Sequence, residues 1–195
     1  MKALGLRVKS GSAIIAVIDG EPKSWRLVPC GQVLLTVPAG PYARFPYHPL
    51  IEMDAESGRA ASREAVAIVR SESRKQLGSL LKSLAPLDCA GIVAGTATDP
   101  NKIFNPHIRA HAREAHLFRG VVIAALNRSQ IPYQVLRDKE AQREFASKTR
   151  TPEAEAWEMI SRGGRGVVKP WRIDEKLAAV GALYALWMCT HGGLQ

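Results

Sequence analysis

Two cations, Arg7 and Lys9, stand at the bend of "KALGLRVKSGSAIIAVIDG" (residues 2–20), where two short apolar runs meet in a tight turn. Cations held at a turn attract phosphate oxygens. A second basic group is "RGGRGVVKPWR" (162–172), which offers Arg162, Arg165, Lys169 and Arg172 among glycines that let backbone approach a phosphate. Trp171 in the same stretch can stack on a base, although a Trp ahead of an apolar helix reads first as a core plug. His107, His111 and Glu114 recur at i, i+4 and i+7, a helical spacing compatible with a metal. No HExxH pattern accompanies them, so the bland reading is a solvated helix face. No Ser-His-Asp or Cys-His arrangement, P-loop or GxGxxG motif is present.

The 195 residues can bury one full hydrophobic core and are read as a single domain, 1–195. Apolar residues make up 46% and charged residues 23%, ordinary for a globular chain. No apolar run reaches 18 residues, which argues against a membrane span. The three cysteines, Cys30, Cys89 and Cys189, form no paired motif, which fits reduced thiols in a cytoplasm and offers no zinc site. Net charge is +9, favouring contact with DNA, RNA or another polyanion.

These residues must be positioned by regular elements. Strands are expected at 3–8 and 13–18, with one more in 25–37, broken at Pro29. Prolines 38, 41, 46 and 49 make 38–60 a long loop, whose Tyr42, Arg44, Phe45, Tyr47 and His48 either meet a partner or pin the loop to its own core. Ser62 is the expected N-cap of a helix running to Pro86. "DCAGIVAG" (88–95) reads as a buried central strand, with Gly91 and Gly95 permitting close packing. Asn105 and Pro106 open a long helix whose inner face is marked by Ile108, Ala112, Ala115, Val122 and Leu126. Then come a strand at 131–136, two amphipathic helices (the second capped by Thr151) and a closing helix from about Ile173 to Thr190.

This order, carried by "LGLRVKSGSAIIAVIDG", by "DCAGIVAG" with "HLFRGVVIAALNRSQIPYQVL", and by "IDEKLAAVGALYALW", resembles the ribonuclease H-like superfamily and most closely the RuvC-type Holliday junction resolvases. The resemblance implies an α/β fold: a mixed five-stranded sheet, three antiparallel strands and then parallel β-α units, with helices on both faces. It also implies carboxylates at the ends of the first and fourth strands and on the last helix, holding two divalent metals for phosphodiester cleavage. Here the first of those positions falls at Arg7 and the second at Ala94 or Gly95; on the last helix Asp174 and Glu175 remain, with Leu177 one turn in.

Three functional readings follow. The first is a non-catalytic ribonuclease H-like protein, a pseudoenzyme without cofactor, that binds nucleic acid through Arg7, Lys9, Arg162, Arg165, Lys169 and Arg172 or serves in a nucleic-acid-processing assembly. The second is a divergent Mg²⁺-dependent nuclease built on Asp99, Asp174 and Glu175. The third is a homodimeric interaction scaffold using the proline-aromatic loop. Arg7 either holds a phosphate or pairs with Asp174 or Glu175.

Overall fold

A computed structural model describes residues 1–28, 31–37, 40–95, 98–167 and 170–192. Pro29 and Cys30, the expected strand break and one of the three thiols, lie outside the described residues, as does Lys169.

Six strands form one mixed sheet. β1 (Lys2–Lys9) and β2 (Ser12–Glu21) make the opening hairpin, in register from Lys2 opposite Asp19 to Lys9 opposite Ser12. The single strand expected in 25–37 is two short ones, β3 (Ser24–Val28) and β4 (Gln32–Leu34). Both pair antiparallel with β2, end to end along its outer edge. The expected five strand positions therefore hold, with one position occupied by two pieces. β5 (Cys89–Ala94) and β6 (Tyr133–Arg137) extend the other side in parallel, giving the order β3-β2-β1-β5-β6.

Helices cover both faces. α1 (Pro49–Glu52) and α2 (Ala55–Leu84) follow the strands of the hairpin sheet, and α3 (Pro106–Arg128) connects β5 to β6. α4 (Ala141–Thr149), α5 (Glu153–Gly163) and α6 (Ile173–Thr190) complete the chain. Strand side chains alternate between faces, so Leu4, Leu6, Ala90 and Ile92 pack under α2 and α3. Ala3, Cys89, Val93 and Leu136 pack under α4, α5 and α6. Cys89 is a free thiol, pushed up from its ordinary value by burial and then by neighbouring Cys189. Among the described residues no helix is long and apolar enough to cross a membrane.

Four expectations are corrected. The 38–60 stretch is not all loop: α1 lies within it and α2 begins at Ala55, capped by Asp54, whose carboxylate accepts from the N–H groups of Glu56 and Ser57 at 3.0 Å each. Ser62 is buried inside α2 instead of capping it. On α3 the inner face runs through Ala110, Glu114, Leu117, Phe118, Val122, Ala125 and Leu126, while Ile108 is exposed. Thr151 does not cap α5; Pro152 takes the cap position and the Thr151 hydroxyl turns back to the Thr149 carbonyl at 3.4 Å.

The closing helix lies unusually close to the sheet. Gly5 and Gly91 are register partners on neighbouring strands β1 and β5. A methyl at Gly5 would sit 1.8 Å from the Ala178 carbonyl oxygen, and one at Gly91 only 1.9 Å from that of Gly181. Two missing side chains thus form the seat on which α6 rests, its buried length running from Leu177 to Leu186. Gly95 meets nothing within 4 Å, so close packing accounts for Gly91 alone of the two.

Candidate functional site

Parallel strands β1, β5 and β6 all end at one edge of the sheet, and in open α/β sheets ligands gather beyond the carboxyl ends of the strands. Alternation sends Ala3, Gly5, Arg7 and Lys9 to the α6 side of β1. The same rule, counted from buried Leu136, sends Asp138, just past β6, to that side as well. The seat of α6 on Gly5 and Gly91 then brings its first turn, with Asp174, over the end of β1.

The result is a compact ion-pair group. Arg7 Nη2 donates to Asp138 Oδ2 at 2.6 Å, and Arg7 Nη1 to the Val8 carbonyl at 3.1 Å. Arg7 Nε lies 3.5 Å from Asp174 Oδ1, within ion-pair range but without a hydrogen bond. Lys9 Nζ donates to Asp174 Oδ2 at 2.7 Å. The Arg7 side chain is 13% exposed, against 46% for Lys9, so the guanidinium is the fixed centre and the ammonium its wet flank. Two cations and two carboxylates leave the group itself neutral. Beside it opens a cavity of about 270 Å³ lined by Arg7, Lys9, Ser10, Gly95, Ala115 and Asp138.

Of the two expected partners of Arg7, Asp174 is present and Glu175 is not. The Glu175 carboxylate instead accepts from the Arg172 backbone N–H at 2.9 Å, capping α6. Asp99 caps a short 3₁₀ turn at Pro100–Lys102, accepting from Asn101 N at 3.0 Å. Asp99, Asp174 and Glu175 therefore serve separate partners and are not brought into one ligand set. Asp138, the principal partner of Arg7, was absent from the sequence-based candidates. Its signal was available: "VLRD" ends a parallel strand, and counting by twos from Leu136 reaches Asp138.

The basic segment before α6 divides. Arg162 is ion-paired with Glu158 one turn earlier in α5. Arg165 and Arg172 are exposed. Trp171 is half-buried against the α6-side core, its Nε1 donating to the Ser161 carbonyl at 3.2 Å. It is the core plug, as the bland reading had it.

In the proline-aromatic segment Tyr47 and His48 turn inward, while Phe45 stays exposed. Tyr47 packs on the α2–α3 side of the core, with the Arg113 guanidinium 6.0 Å from its ring centre, and His48 is buried. His48 Nδ1 stands 2.9 Å from Glu114 Oε1, and His111 Nδ1 stands 3.1 Å from Glu114 Oε2. The expected solvated face of α3 is thus corrected at Glu114, which is 1% exposed.

Solved structures share this architecture. RuvC of Thermus thermophilus in complex with a Holliday junction substrate is similar over 100% of this chain and 99% of its own, with a TM-score of 0.63 at 14% identity. A second Thermus thermophilus RuvC structure is similar over the same shares, with a TM-score of 0.57 at 16% identity. No protein-family model matches the chain, and no curated protein matches it in sequence. The fold is ribonuclease H-like and of RuvC type, as the sequence resemblance implied.

Proposed function

We propose that this protein binds nucleic acid through a RuvC-type fold without cutting it. One observation carries the reading: at the end of β1, where the resemblance places a metal-binding carboxylate, Arg7 is anchored to Asp138 and faces Asp174. Mg²⁺ needs several oxygen ligands in near-octahedral geometry. At this edge the carboxylates of Asp138 and Asp174 are already bound by Arg7 and Lys9, and β5 ends at Ala94, followed by Gly95, without an acid. The donor set does not fit a pair of divalent metals.

Binding is supported by charge. The chain carries +9 overall, and exposed Arg172 and Arg165 lie just ahead of the α6 turn that meets Arg7 and Lys9. Lys9 stays nearly half exposed at the mouth of the cavity. Arg7 is the structural cation that closes the site, while Lys9, Arg165 and Arg172 are the ones able to reach phosphates, with Lys169 between them in sequence. Arg162 contributes once it leaves Glu158, an exposed pair that costs little to break. The neighbour bound to a Holliday junction makes four-way DNA the first ligand to try.

The test is retention of labelled four-way DNA, duplex DNA and RNA across a salt series. Replacing Arg165 and Arg172 together by Ala is expected to weaken retention and to flatten the salt slope by nearly one unit per lost contact, about 0.9 on duplex DNA. Retention that ignores both salt and these substitutions would sink the proposal.

A further inference from the structure

We propose that His48, His107 and His111 form a binding site for a divalent transition-metal ion of the zinc class, with Glu114 as its positioning residue. One ring nitrogen from each of the three histidines lies within 4.8 Å of the others, the only such trio of ligating side chains among the described residues. Tetrahedral zinc, with bonds of about 2.0–2.1 Å, wants ligand nitrogens about 3.4 Å apart. Small ring rotations therefore bring the trio to coordinating distance.

The buried carboxylate explains the arrangement. Each oxygen of Glu114 faces the Nδ1 of a different ring, Oε1 that of His48 and Oε2 that of His111, and Oε1 also accepts from the Tyr47 backbone N–H at 3.3 Å. A carboxylate only accepts, so in a neutral ring facing it the Nδ1 carries the proton and the Nε2 keeps the lone pair that a metal needs. This is the carboxylate–histidine pairing that orients imidazoles and raises their basicity toward a metal. The rings meet edge to face, with centroids 4.8 Å apart for His48 and His111, 5.1 Å for His48 and His107, and 4.5 Å for His107 and His111.

Phe45 walls one side, 5.0 Å from His48 and 5.9 Å from His111 between centroids, while exposed His107 and His111 leave an entry path from solvent. Three imidazoles without a carboxylate or thiolate in contact with the ion suit zinc, copper or nickel over Mg²⁺. A water molecule would complete four-coordination. The ion would add a further link between the turn carrying His48 and the first two turns of α3, which Glu114 and the Arg113–Tyr47 contact already join. The site is separate from the Arg7 group and does not depend on nucleic-acid binding.

The experiment is calorimetric titration of the untagged full chain with Zn²⁺, paired with Co²⁺ absorption spectra. We expect one equivalent bound, a visible tetrahedral Co²⁺ band, and loss of both in His107→Ala, an exposed position whose replacement leaves the fold intact. Glu114→Gln, which keeps the shape and removes the charge, should weaken binding about 10- to 100-fold. No binding to the wild-type chain, or one equivalent bound equally well by His107→Ala, would overturn the assignment.

Discussion

Arg7 turns on its head the chemistry that its position implies. A carboxylate at the end of β1 would gather cations; a guanidinium there gathers Asp138 and Asp174 and neutralises them. Because Arg7 is largely buried, removing its best partner strands a charge. Asp138→Asn should therefore cost about 1–3 kcal/mol, measured by denaturant unfolding. The same substitution frees a cation at the cavity, so nucleic acid should be held more tightly at low salt. A variant with unchanged stability would show that Asp138 does not anchor Arg7. The sequence already pointed to Arg7 as the anomaly, because a cation in an otherwise apolar strand run is conspicuous. Asp138 is not legible in the same way: it sits in a short polar link and becomes a partner only when β6 lies parallel to β1, two strands away.

At the scale of elements, the glycine seat decides where the site can form. Gly91→Ala would drive a methyl into the Gly181 carbonyl, and backbone cannot yield as a side-chain tip can. The expected cost is about 3 kcal/mol, read by denaturant unfolding, with α6 lifted from the sheet and the Lys9–Asp174 contact loosened. The start of α2 carries a pH signature. The Ser57 hydroxyl and the N–H groups of Ser57 and Glu56 hold the Asp54 carboxyl below its ordinary value of 3.8. A lowered folded value means that the cap stabilises above the unfolded value and is lost as pH falls through the folded one. Asp54→Ala should thus be less stable than wild type at pH 7, by a gap that narrows as pH falls below 3.8; a gap that stays constant in acid would assign the loss to something other than the carboxylate. Strand and helix identities were legible because their apolar spacing is local. The start of α2 was not, since Gly58 in its first turn imitates a loop residue; it is there because Pro49 of α1 packs against it, 2.5 Å from where a side chain would begin. The inner face of α3 differs for a related reason: burial of Glu114 is set by Tyr47 and His48 on a distant segment, which no helical period reveals.

For the whole molecule, a RuvC-type fold carries a net charge of +9, while the two carboxylates at the edge where β1 and β6 end, Asp138 and Asp174, are ion-paired with Arg7 and Lys9. The order of elements made that frame readable in sequence, since three antiparallel strands followed by β-α units leave few ways to build one sheet. The state of the edge was readable only in part, because it depends on three segments meeting: β1, the end of β6 and the start of α6. The most direct measurement is incubation of labelled four-way DNA with the protein, with and without Mg²⁺ or Mn²⁺, scoring retention and strand cleavage in the same samples. Retention that falls with salt, with the strands intact at every metal concentration, is the predicted result. Metal-dependent cleavage abolished by Asp174→Asn would contradict it, and would mean that the carboxylates held by Arg7 and Lys9 are released to do chemistry.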